Sequence, residues 1–312
     1  MILHQNILGV DVAKDWIDIC DLATGQVRRI DTTPTALKAF AASLPVDALV
    51  VFEASGGCER PLMAALEEKS CAYARVNPRH AREFARATGK LAKTDKVDAR
   101  ILAQMGRALG LKPTPPVDPA RRRLADLIAR REDIVAAITA ETNRLAQARD
   151  RFVHRDIATH VALLKRRRLA IENEIASHKR QNEALNALDR RLRTAPGVGP
   201  AIASVLLAYL PELGNIDRRA IASLAGLAPH ACDSGHSKGR RQVWGGRAPV
   251  RCALYRAAFI ASRWDPGFKA LREQMTAAGK PLKVILIAIA RRLLVALNAI
   301  VHWNAVYMQE AV

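Results

Sequence analysis

Four acidic side chains carry the most chemistry for where they stand. Asp11 lies inside the apolar stretch NILGVDV, Glu53 closes ALVVFE, and Asp95 and Asp98 stand three apart in KTDKVDARIL. On a helix that spacing projects both carboxylates from one face. A carboxylate at the end of an apolar strand is costly unless solvated or neutralised, and four converging ones repel unless a divalent cation sits among them. Mg²⁺ (or Mn²⁺) is the hard ion such oxygens take, and it leaves positions open for phosphate, as two-metal phosphodiester chemistry requires. Glu59 competes with Glu53 for the glutamate role. It falls beyond the Gly56-Gly57 turn, on the next helix, so Glu53 is the expected ligand.

A second constellation lies in the carboxy-terminal half. Ser234-Gly235 is followed closely by Lys238, Arg240 and Arg241 in a glycine-punctuated loop. There a hydroxyl could attack a phosphodiester while cationic side chains hold the phosphate. Chemistry alone does not decide this, because a serine hydroxyl is a poor nucleophile unless something activates it. Upstream, Pro196-Gly197-Val198-Gly199-Pro200 between helical segments has the look of a helix-hairpin-helix. In such a turn Gly197 and Gly199 let backbone N–H groups and a helix N-terminus approach a phosphate without reading sequence.

The elements that must position these groups change character along the chain. In the first 110 residues strand and helix signals alternate: strands at 6–12, 16–22, 27–31, 48–53 and 71–77, helices at 34–44, 61–69 and 94–109. Three strands followed by alternating helices and strands describe an RNase H-like mixed sheet. Residues 110–119, GLKPTPPVDP, hold four prolines and read as a semi-rigid linker. From 120 to 195 there is no Gly and no Pro, so long helices are expected, with a break near 153–159. Leu124, Ile138, Leu145 and Phe152, with Arg131 in the gap, and Leu164, Ile171, Leu185 and Leu192, with His178 in the gap, recur at heptad positions. They suggest an antiparallel coiled-coil hairpin or a dimerisation stalk. The runs at 121–123 and 165–168 either grip phosphates or form a solvated helix face.

Composition bounds the partner. With 49 Lys and Arg against 30 Asp and Glu, the 312-residue chain carries +19. That charge favours a polyanion, nucleic acid before membrane. It is uneven: +2 over residues 1–118, +8 over 119–195 and +9 over 196–312. The apolar run at 284–290 is stopped by Arg291 and Arg292, short of a bilayer span, so no membrane partner is expected. The start does not read as a signal peptide. Five cysteines without a C-x-x-C pair suggest neither disulfides nor zinc and fit a reducing cytoplasm.

GVDVAKDWIDIC, VFEASGGCERPLMAAL and VNPRHAREFARATGKLAKTDKVDARILAQ closely resemble the amino-terminal RuvC-like DEDD domain of insertion-sequence transposases of the IS110 family. Asp11, Glu53, Asp95 and Asp98 match that family's metal-binding positions one by one. GLAPHACDSG with the basic, glycine-rich stretch after it resembles the family's carboxy-terminal transposase domain, whose nucleophilic serine falls on Ser234. The match is weakest after Gly245-Gly246, so Arg247 and Arg251 receive no role. The resemblance implies an RNA-guided DNA transposase or recombinase. A bridge RNA would pair with double-stranded target and donor DNA, and strands would be exchanged through a covalent serine–phosphate intermediate. Strand exchange between two duplexes needs several active sites in one complex, so with the coiled coil a homo-oligomer, dimer or tetramer, is expected. The expected organisation is a RuvC-like DEDD domain at 1–112, a Pro-rich linker at 113–119, a helical coiled-coil assembly region at 120–193 and a helical transposase domain at 194–312.

Three rivals stand beside this reading. A tyrosine recombinase built on Arg251 and Tyr255 has no use for the acidic set, and Tyr255 suits helix packing. A RuvC-like structure-specific endonuclease would use the acids without Ser234. A non-catalytic nucleic-acid-binding protein would use neither.

Overall fold

Alternating apolar residues in the first strands build a sheet covered on both sides. β1 (Asn6–Val12) pairs antiparallel with β2 (Trp16–Asp21), which pairs antiparallel with β3 (Val27–Asp31). On the other side of β1, β4 (Ala48–Glu53) and then β5 (Ala72–Val76) add in parallel, giving the order β3-β2-β1-β4-β5. This five-stranded mixed sheet is consistent with an RNase H-like domain. The structure, a computed structural model, describes residues 6–89, 95–230, 233–234, 237–238 and 242–307, with backbone alone at 95–97, 230, 233–234, 237–238 and 242. The chain divides into two units, Met1–Pro116 and Val117–Val312.

Side-chain parity decides which helices cover which face. Leu8, Val10, Val50 and Phe52 face α1 (Pro34–Ala42) and α2 (Arg60–Glu68), packing on Leu37, Phe40, Leu62 and Leu66. Ile7, Leu49 and Val51 face the other way, against α3 (Pro78–Ala87) and α4 (Asp95–Ala108), through Ala81, Leu102 and Met105. The sequence reading passed over α3, although Asn77 caps it by accepting from Arg79 N and Pro78 opens it.

The second unit is helical. α5 (Pro119–Gln147) and α6 (Arg151–Gln181) run antiparallel, tied by Arg123–Glu174 and Arg131–Glu172. The break expected at 153–159 falls instead at 148–150. Asp150 accepts from Val153 N and starts α6 there, so the β-branched stretch is carried inside a helix already capped. A second break at Asn182 separates α6 from α7 (Glu183–Leu192), so Leu185 and Leu192 lie on a different helix from Leu164 and Ile171. His178 and Arg131, the heptad exceptions, hydrogen-bond to Ala120 O and pair with Glu132 and Glu172, respectively.

A core of Leu206, Leu254, Phe268, Ile289 and Leu293 joins α8 (Pro200–Tyr209), α10 (Ala248–Trp264), α11 (Pro266–Ala277) and α12 (Leu282–His302). Leu124, Ile128 and Ile175, at the base of the α5–α6 hairpin, belong to the same core. Among the described residues, α12 alone is long and apolar enough to cross a membrane by length and composition, and its Ile285, Ile289, Leu293 and Leu297 are buried in this core.

Candidate active site

The β1–β4 register pairs Val10 with Phe52, so the next residues, Asp11 and Glu53, stand at the carboxyl ends of adjacent parallel strands. Both share parity with Ile7, Leu49 and Val51 and so lie on the α3–α4 face. Gly9 meets α4 so closely that a Cβ there would lie 2.0 Å from Ala99 O and 2.4 Å from Ala103 N. Farther along the helix, Gly106 packs on Ile7 and Val51. α4 therefore runs opposite to β1, and its first turn, with Asp95 and Asp98, comes to the sheet end where Asp11 and Glu53 stand.

Asp11, Glu53 and Asp98 are half-buried, while the Asp95 side chain lies outside the described residues. Among the described side chains, no three His, Cys, Asp or Glu are close enough to share a metal ion. The donor chemistry still fits one group: four carboxylates offer only hard oxygens, which suits Mg²⁺ or Mn²⁺. Asp18, paired with Asp11 across β1–β2, is buried and gripped at both oxygens by Arg29, at 3.0 and 2.6 Å. That fork neutralises a carboxylate beside Asp11.

Glu59 has a different task from the one considered for it. It is fully buried, accepts from Ser55 N at 3.1 Å and Gly57 N at 2.9 Å, and receives Arg75 Nη2 at 2.6 Å. Burial pushes its carboxyl up, but backbone donors and Arg75 outweigh this and hold it below the ordinary value. Glu59 thus pins the loop that leaves Glu53 and ties it to β5. A glutamate two residues after a Gly-Gly turn was the visible signal, though its inward orientation was not.

Ser234 is carried on a nested hairpin between α9 (Arg218–Leu224) and α10. The outer pair is β6 (Pro229–His230) with β9 (Gln242–Val243). The inner pair is β7 (Asp233–Ser234) with β8 (Ser237–Lys238), in which Ser234 opposes Ser237. Lys238 is described by its backbone only, and Arg240 and Arg241 lie outside the described residues. The hairpin's feet meet backbone to backbone at Gly226 and Gly246. Arg247, given no role from sequence, braces them with a fork onto Glu212 at 2.6 Å to each oxygen. Burial pushes the Glu212 carboxyl up, but that fork prevails and holds it below its ordinary range. Arg251 donates to Gly245 O.

Beside the stem opens a cavity of about 1180 Å³ lined by Arg218, Arg219, Lys283, Arg291 and Arg292 with an aliphatic floor from α12. Sequence reasoning singled out none of these cations except as an interruption of the apolar run. The turn at 193–199 joins α7 to α8 as expected. Gly197 needs its glycine for packing, because with φ at +76° a Cβ would lie 2.3 Å from Ala257 O. Gly199 is open, and no side chain caps α8 there.

Two family models match: one described as a transposase, over residues 8–153, and one described as the transposase IS116/IS110/IS902 family, over residues 189–273. Together they take in well over half of the chain. The chain is also similar to the pilin gene-inverting protein of Moraxella bovis, 26% identical over 97% of each chain, and to that of Moraxella lacunata, 25% identical over the same shares. These matches make the chain a transposase or DNA recombinase, an enzyme acting on DNA. Within that class, the chain belongs to the IS110 family of transposases.

Proposed function

We propose that this transposase exchanges DNA strands under the guidance of an RNA, with Asp11, Glu53, Asp95 and Asp98 as metal ligands and Ser234 as nucleophile. The observation that carries the metal half is the register: Asp11 and Glu53 end neighbouring parallel strands, and the first turn of α4 comes to the same end. Bound there, Mg²⁺ would act as a Lewis acid toward a phosphodiester oxygen. Ser234 Oγ would form a bond to phosphorus as its proton passes to water, and the sugar oxygen whose bond to phosphorus breaks would take a proton from water and leave as a hydroxyl. The arginines and lysine around the hairpin stem hold the strand by its phosphates, and the turn at Gly197 and Gly199 adds backbone donors. Gene inversion, the act named in the Moraxella relatives, supports strand exchange over plain cutting.

Double-stranded target and donor DNA, a bridge RNA and further copies of the chain are the partners in this reading, and the cytoplasm is its place. Asp11→Asn and Asp98→Asn test it. Each should abolish Mg²⁺-dependent strand cleavage and leave nucleic-acid binding within about twofold, because the cationic surface lies elsewhere. Cleavage at the wild-type rate by either variant removes the metal site.

A further inference from the structure

The last turn of α10 exposes what a helix in a core ordinarily hides. Ala257, Ala258 and Ala261 on its inner face are fully buried, while Phe259 is 39% exposed, Ile260 44% and Trp264 81%. The Arg263 guanidinium lies 4.1 Å over the Phe259 ring, and Arg256 is exposed one turn earlier. Asp265, the neighbouring acid, is buried, where it accepts from Phe268 N and meets Tyr307 Oη, so the patch is cationic as well as aromatic.

Its position adds meaning. Gly197 packs its backbone against Ala257 and Ala261. At 100° per residue, Trp264 falls within about 20° of Ala257 and one turn beyond Ala261. Trp264 therefore continues, one turn past the packed residues, the strip of α10 that Gly197 meets. A flat ring in water at the end of a helix that carries Arg263 and, two turns earlier, Arg256 suits a base that has left its stack, the ring taking the base face and the arginines the phosphates farther along the strand. A continuous duplex offers no such face along its length, and an acidic protein surface would not need the ring.

We infer that the exposed end of α10, where Trp264 follows Arg263 and Ile260 with Arg256 two turns earlier, is a stacking platform for a single-stranded, unpaired segment of nucleic acid. This rests on the reading of the carboxy-terminal unit as nucleic-acid-binding and adds a strand preference to it. The test uses the full chain and its Trp264→Ala, Trp264→Phe and Arg263→Ala variants. Fluorescence anisotropy would follow a twelve-nucleotide uridine RNA, a thymidine DNA of the same length and a mixed-sequence duplex.

Trp264→Ala should weaken single-strand binding on the order of tenfold and duplex binding less than twofold. Trp264→Phe should recover most of the loss, and Arg263→Ala should lower the salt dependence. A larger loss on the uridine strand assigns the platform to RNA, and a larger loss on thymidine assigns it to DNA. Unchanged single-strand affinity in Trp264→Ala overturns the inference, as does an equal loss on duplex. So does a fall in sedimenting mass without a change in binding, which would make this face an interface between copies. Loss of strand cleavage in the Asp11 variant bears on the proposed function alone, since Trp264 is outside that chemistry.

Discussion

Gly9→Ala places a single methyl where the sheet and α4 are in closest contact. Its Cβ would stand 2.0 Å from Ala99 O and 2.4 Å from Ala103 N, against 3.4 Å or more for ordinary contact. Both obstructions are backbone, so no side chain can rotate away. The helix must retreat by more than an ångström, or the strand must buckle. Overpacking of this kind costs about 1–3 kcal/mol. The same displacement moves the first turn of α4 away from Asp11, and a shift of ~1 Å at a reacting centre costs on the order of 10²-fold in rate. Thermal melting and Mg²⁺-dependent cleavage would be measured together. The expected result is a melting point lowered by several degrees, cleavage reduced about a hundredfold, and duplex binding nearly unchanged. A variant that melts and cleaves like the wild type would refute the packing of α4 on β1 as the device that sets the site.

Glu59→Gln keeps an acceptor for Ser55 and Gly57 but loses its charge toward Arg75. It should cost about 1–2 kcal/mol and lower cleavage less than Asp11→Asn does, measured by melting and by initial rates. Acid should act through the same group and through Glu212. Both carboxyls are held below their ordinary range in the folded chain, so their stabilisation is full well above that range and is lost as pH falls through it toward the folded values. Melting curves from pH 7 to 3 should show the fall beginning near pH 5. An Arg247→Met variant should flatten the Glu212 part of it. Duplex binding by the full chain should weaken steeply between about 50 and 200 mM salt, followed by anisotropy.

What the residue order made legible was whatever depends on short-range pattern. The five strands lie within a residue or two of expectation, because alternation and flanking Gly and Pro report directly on local backbone. The alignment of Asp11 with Glu53 follows from their positions at strand ends once the two strands pair in parallel. What was hidden depends on partners distant in the chain. Glu59 looks like a rival ligand until Arg75 and the turn amides are seen around it. The heptad repeat reads as one helix until Asn182 interrupts it. The break at 148–150 is set by one cap, Asp150, which outweighs β-branched residues a few positions later. Gly197, expected to approach a phosphate, answers first to Ala257. The cations around the hairpin stem, drawn from α9 and α12, are some seventy residues apart and form no motif.

Trapping the protein on DNA decides whether Ser234 is the nucleophile. With Mg²⁺, guide and duplex substrate, the wild-type chain and Ser237→Ala should yield a covalent protein–DNA adduct. Ser234→Ala and Asp11→Asn should yield none while still binding, because neither change removes a positive charge that grips phosphate and only the attacking oxygen or the metal site is lost. An adduct formed by Ser234→Ala, or a linkage mapped to Tyr255 or Ser237, would rule out Ser234 as the attacking group.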